Sequence, residues 1–145
     1  MTRIIAIHGL PNSGKTTLAN KLSARLSAPI ISESSIRTLT ANNGKTEEDY
    51  NKINKILKAT VDTYRTDSDN WVIVDEVGIS RNNRGQYTAE VEIFMNTITG
   101  DSSDASVQTI FEVPDIELRV LQDLEINSFD YDSDTIVNFI TDQYT

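Results

Sequence analysis

The chain has 145 residues, with 13 Lys and Arg against 22 Asp and Glu, for a formal net charge of −9; that is enough length for one domain with a sizeable core. With 38% hydrophobic and 24% charged residues the composition is that of a globular protein, and no stretch approaches the ~18 consecutive apolar residues of a membrane helix. Zero cysteines exclude disulfides, thiolate metal sites and Cys nucleophiles, a single His excludes a His-rich metal centre, and the acidic balance favours small anions in a pocket over nonspecific nucleic acid.

Residues 1–8 carry an apolar stretch too short for a signal peptide, so the N-terminus is expected to be mature structure and the compartment cytoplasmic, with no membrane partner. Residues 3–8, rich in β-branched side chains and stopping at Gly9, predict a first strand buried on both faces. From Thr16, Leu18, Leu22 and Leu26 recur at helical spacing and stop before Pro29. Residues 29–32 read as a short strand, and 38–45 as a loop turning at Asn43-Gly44. Thr46 is placed to cap a long helix with Glu47, Glu48 and Asp49 in its first turn and an apolar stripe of Tyr50, Ile53, Ile56, Leu57, Val61 and Tyr64. Lys52, Lys55 and Lys58 read as the solvated face of that helix.

Trp71 to Asp75 is an apolar strand ending in acid, and residues 82–85 form a polar loop. Tyr87, Val91, Phe94, Met95 and Ile98 repeat helically up to Gly100 and predict a helix. Residues 107–113 predict a fourth strand, Pro114 opens a helix carrying Leu118, Leu121 and Leu124, residues 127–131 predict a last strand, and a helix follows from about Asp134. Five strands alternating with helices predict an α/β protein whose parallel sheet is covered on both faces, with ligands at the carboxyl ends of the strands.

Gly9-Leu-Pro-Asn-Ser-Gly-Lys-Thr16 fits G-x-x-x-x-G-K-[ST] between a predicted strand and a predicted helix, the Walker A pattern. Its glycines let backbone N–H groups converge on a phosphate, and Gly9, Asn12, Ser13, Gly14, Lys15, Thr16 and Thr17 are the expected ATP-binding residues. Lys15 is placed to bridge the β- and γ-phosphates, and the Thr16 hydroxyl to coordinate Mg²⁺. Asp75, at the end of its strand, matches the Walker B carboxylate that holds a water on Mg²⁺. Glu76 beside it is the residue a hydrolytic ATPase would use to polarise water.

These motifs, in this order, resemble a small P-loop kinase of the nucleoside and nucleotide kinase type over essentially the whole chain. The resemblance implies a P-loop NTPase fold with five mainly parallel strands in the order 2-3-1-4-5, as one domain over residues 1–145. It places an acceptor region at about 33–66 and a short lid-like region at about 115–127. In such kinases an Asp and, three residues later, an Arg follow the second strand and touch the acceptor; here Arg37 is present, Ser34 replaces the Asp, and Glu33 is the candidate substitute. Phe111-Glu-Val-Pro-Asp-Ile-Glu-Leu-Arg119 is similar to the approach to the lid, which makes Arg119 the candidate arginine finger. No basic residue follows in 120–145, so Arg81 and Arg84, after Walker B, are candidates for a second cation at the acceptor edge.

The implied function is ATP- and Mg²⁺-dependent phosphoryl transfer to a small nucleotide, a (deoxy)nucleoside monophosphate foremost, with Lys15, Asp75 and Arg119 as catalytic residues. Asp75 or Glu33 would serve as acid/base if the acceptor were a hydroxyl. The rival readings are a polynucleotide or modified-base DNA kinase of the same fold, an ATP-hydrolysing switch using Glu76, and a binding module without turnover.

Overall fold

The computed structural model describes residues 2–9, 13–66, 69–78, 87–95, 123–126 and 131–144. Asn12, Arg81, Arg84 and Arg119 lie outside the described residues, as do the strand expected over 107–113 and the lid-like region apart from residues 123–126.

Among the described residues the order is β1 (Arg3–His8), α1 (Lys15–Leu26), β2 (Ile30–Ser32), α2 (Glu33–Thr40), α3 (Glu47–Tyr64), β3 (Trp71–Asp75), β4 (Val91–Met95), β5 (Asp123–Ile126) and α4 (Ser133–Tyr144). The strands form one sheet in the order β2-β3-β1-β4-β5, every neighbouring pair parallel. β1 lies at its centre, with Ile5 beside both Ile73 and Val91.

A central parallel strand has no solvent face, so its side chains divide between two cores. Ile5 and Ile7 of β1 and Ile73 of β3 point into one, where Leu18 and Leu22 of α1 meet Ile136, Val137 and Ile140 of α4. Ile4, Ala6, Val72 and Val74 point into the other, against Ile36 of α2 and Ile53, Leu57 and Val61 of α3. Helices therefore cover both faces, as the α/β reading requires. α3 begins with a full capping box: Thr46 Oγ1 accepts from the Asp49 amide while Asp49 Oδ2 accepts from the Thr46 amide. On the outer face of α3 Lys52 pairs with Glu48 at 3.3 Å and Lys58 with Asp62 at 2.9 Å, the solvated ion pairs its sequence implies.

Three expectations are corrected. The helix predicted over Tyr87 to Ile98 is instead strand β4 in Val91–Met95, flanked on both sides by other strands. Leu124, assigned to a helix opening at Pro114, belongs to β5, which pairs with β4 at Ile93↔Leu124 and lies ahead of the last strand expected at 127–131. Residues 38–40 complete α2 rather than opening a loop; Ser32 caps it, its side chain accepting from the Ser35 amide.

Candidate active site

β1 runs straight into the Walker A loop. The Gly9 amide donates to the Val77 carbonyl at 3.2 Å and the Glu76 amide to the Ile7 carbonyl at 3.1 Å, so the β1–β3 ladder ties the loop entrance to the Walker B turn. A Cβ on Gly9 would lie 2.9 Å from the Met95 carbonyl oxygen and 2.7 Å from Ser13 Oγ, so only glycine passes there. Gly14 caps α1 at φ 92, in the left-handed region. The first turn of α1 holds no acidic residue, which leaves the positive end of the helix to an anion.

Lys15 is 8% exposed. Burial pushes its ammonium below the usual lysine value, while the charges of Asp75, Glu33 and Glu76 pull it back up. A desolvated cation in that position is matched to a phosphate. Next to it Thr16 Oγ1 donates to Asp75 Oδ2 at 2.8 Å, which brings Walker A and Walker B together. The paired hydroxyl and carboxylate are hard oxygen donors of the kind Mg²⁺ takes, so Thr16 and Asp75 fit the ion.

A cavity of about 530 Å³ opens from Lys15, Thr16 and Asp75 toward Glu33, Arg37 and Tyr50. Glu33 starts α2; burial raises its carboxyl above the usual range, opposed by the Arg37 charge and the Val77 amide that donates to Oε1 at 3.2 Å. Arg37 Nε donates to Glu33 Oε2 at 3.3 Å, and its guanidinium lies 4.7 Å from the Tyr50 ring centroid. The structure thus gathers Lys15, Thr16, Asp75, Glu33 and Arg37 around one cavity.

A family model for the AAA domain matches residues 4–94, from Ile4 in β1 to Phe94 in β4. The chain belongs to that family. No curated protein matches it by sequence. Among solved structures, APS kinase CysC of Mycobacterium tuberculosis, in complex with AMPPNP and APS, superposes with a TM-score of 0.74 at 16% identity, over 97% of this chain and 96% of that one. Kti12 of Chaetomium thermophilum, in complex with ADP-AlF3, gives 0.70 at 18% identity over 98% and 99%. Shikimate kinase of Acinetobacter baumannii, in complex with shikimate, gives 0.68 at 12% identity over 99% and 96%. At these identities the likeness is one of fold: this AAA domain has a fold of the P-loop kinase type, as the sequence resemblance implies. No described helix is long and apolar enough to cross a membrane.

Within this AAA domain the residue after Walker B is enclosed. Glu76 is 2% exposed; Oε1 accepts from Tyr87 Oη at 2.8 Å and Oε2 from Asn54 Nδ2 at 3.3 Å. His8 is equally buried, with Nδ1 3.2 Å from Glu76 Oε1. His8 falls at the end of the predicted first strand, and the sequence points to neither Asn54 nor Tyr87 as a site residue. Asn54 is a polar residue inside the stripe Tyr50, Ile53, Leu57, Val61, which is its one sequence signal; Tyr87 carries none, lying in a segment whose spacing predicts a helix.

Proposed function

We propose that the protein is an ATP- and Mg²⁺-dependent phosphotransferase that moves the γ-phosphoryl group to a small acceptor, with a nucleoside monophosphate as the first candidate. The observation that carries the reading is the 2.8 Å contact of Thr16 with Asp75 at the mouth of a cavity that continues to Glu33 and Arg37. One end is built for phosphates, and the other offers room for a second molecule.

In this reading the Walker A loop and the α1 N-terminus hold the phosphates, and the Lys15 ammonium sits against the oxygens where charge accumulates during transfer. Thr16 and Asp75 would hold Mg²⁺, which when bound supplies further neutralisation of phosphate charge. α2 and α3 form the acceptor wall. A phosphate acceptor is already ionised; a hydroxyl acceptor would give its proton to Glu33, a half-buried carboxyl at the cavity with an upward-shifted affinity for protons. That shift favours a hydroxyl acceptor as the second reading.

The hydrolase reading has less support. Glu76 lines the cavity, but it is 2% exposed and is engaged by Tyr87 and Asn54 with His8 beside it, the setting of a carboxylate held in the fold more than of one that meets solvent water.

The test is transfer of radiolabelled γ-phosphate from ATP·Mg²⁺ to a panel of nucleosides, nucleoside monophosphates, hydroxy acids, nucleic acid ends and water. Transfer to one small-molecule class, lowered about 100- to 1,000-fold by Lys15→Ala, is expected. Release to water alone, abolished by Glu76→Gln, would overturn the proposal in favour of a switch.

A further inference from the structure

Among the described residues, the hydroxyl side chains of Thr16, Ser34, Thr38 and Tyr50 line the phosphate cavity. All but one are engaged or enclosed. Thr16 Oγ1 donates to Asp75 Oδ2 at 2.8 Å, Thr38 Oγ1 donates to the Ser34 carbonyl at 3.1 Å, and Tyr50 is 4% exposed under the Arg37 guanidinium. Ser34 is exposed, and its Oγ makes no hydrogen bond among the described residues.

The sheet carries Ser34 to the phosphate end of the cavity. β2 lies beside β3 with Ser32 in register with Asp75, and adjacent strands run about 4.8 Å apart. α2 starts at the next residue, so Ser34 stands in its first turn, two residues past the strand partner of the carboxylate that meets Thr16. Glu33 Oε1 accepts from the Val77 amide at 3.2 Å, which ties that first turn to the chain just after Walker B. The Glu33 charge also acts on the Lys15 ammonium, the group set against the transferred phosphate. An unbonded hydroxyl is thus fixed on the edge that receives the γ-phosphoryl group, where transfer needs no diffusing acceptor.

We propose that Ser34 is a modification site for the protein's own chemistry: when no small acceptor fills the cavity, the γ-phosphoryl group of ATP passes to Ser34 Oγ within one chain. The assignment rests on the phosphotransferase reading. Ser34 Oγ forms a bond to Pγ, the bond from Pγ to the β–γ bridging oxygen breaks, and ADP leaves with that electron pair. The hydroxyl proton passes to solvent water, which reaches this exposed side chain. The phosphoserine adds a charge of about −1.5 to −2 where Arg37 and Lys45 line the cavity, and it closes the acceptor side to a second molecule.

The test uses the full chain, stripped by a serine phosphatase and then incubated with γ-labelled ATP and Mg²⁺ without added acceptor. One phosphate per chain is expected, a gain of about 80 Da that tandem mass spectrometry places on Ser34. Its first-order rate should hold over a roughly 100-fold range of chain concentration, as transfer within one chain requires. Ser34→Ala should lose the label and keep the wild-type urea midpoint, because the side chain it removes is exposed and unbonded. Lys15→Ala should also lose the label, and should stay unlabelled when mixed with wild type. Phosphate on another residue, undiminished label in Ser34→Ala, or no label at all overturns the assignment; label on Lys15→Ala in the mixture overturns transfer within one chain. The radiolabel screen separates this assignment from the reading beneath it. Transfer to a small acceptor while Ser34 stays unmodified removes Ser34 alone, whereas label on neither Ser34 nor any acceptor removes the phosphotransferase with it.

Discussion

Glu33 and Tyr87 show how burial sets chemistry residue by residue. Desolvation raises the Glu33 carboxyl more than Arg37 and the Val77 amide lower it, so its ionised form accumulates only above the ordinary carboxylate range. If it takes the proton of a hydroxyl acceptor, transfer rises with pH through a midpoint above the ordinary glutamate range, and Glu33→Gln removes that acid limb along with most of the rate. Transfer to a nucleoside monophosphate should keep its rate in the same variant. A pH–rate profile with each acceptor decides the matter; an acid limb that survives in Glu33→Gln would exclude Glu33 as the base. Tyr87 is the opposite case, a group held neutral. Burial, and then the adjacent Glu76 charge, push its phenol far above the usual value, so it remains a donor to Glu76. Tyr87→Phe should destabilise the fold by about 1.5–3 kcal/mol, the range for a hydrogen bond to a charged group, read as a lower urea midpoint. An unchanged midpoint would mean that the buried carboxylate does not depend on this donor.

Among the elements, α3 ties stability to the site, because it presents Tyr50 under Arg37 and Asn54 to Glu76 on one face, four residues apart. Its N-terminus is fixed by the reciprocal bonds of Thr46 and Asp49. Thr46→Ala should cost about 1 kcal/mol, read as a lower urea midpoint. An unchanged midpoint would mean that the Asp49 carboxylate on the Thr46 amide suffices to hold the start of α3. The elements also show what a sequence carries. α3 was legible because eighteen residues repeat one apolar stripe and begin with a cap and three acids. β4 was not, because a strand buried on both faces replaces alternation with a continuous apolar run. In Val91-Glu-Ile-Phe-Met95, Val91, Phe94 and Met95 fall by chance at helical spacing, and only the neighbours β1 and β5 make the segment a strand. α2 was short and gave the core one residue, Ile36, too little to register as a period. At the site, Walker A and Walker B were legible because phosphate and metal chemistry fixes both residue type and spacing. The roles of Asn54 and Tyr87 depend on segments brought together by folding, which no local spacing encodes.

For the whole molecule, the site lies where both cores end. β1 and β3 carry side chains into each core and terminate at Gly9 and Asp75, and α1, α2 and α3 all start at that edge or pass over it. A nucleotide seated there would be held by groups anchored in both layers, so its binding energy is available to the folded chain and lost to the unfolded one. At a free concentration 100 times the Kd, a ligand specific for the native state adds about 2.7 kcal/mol of stability. For a chain of this size each kcal/mol moves the Tm by roughly 2–4 °C, so AMPPNP with Mg²⁺ should raise it by roughly 5–11 °C. Chelating the ion should reduce the rise, because the charge shared by Thr16, Asp75 and the phosphates is then less well balanced. In Lys15→Ala the shift should nearly vanish, since the cation buried beside the phosphate loop is gone while both cores are intact. An equal shift in wild type and Lys15→Ala would mean that the nucleotide binds elsewhere, and that the contact between Thr16 and Asp75 belongs to the fold rather than to the chemistry.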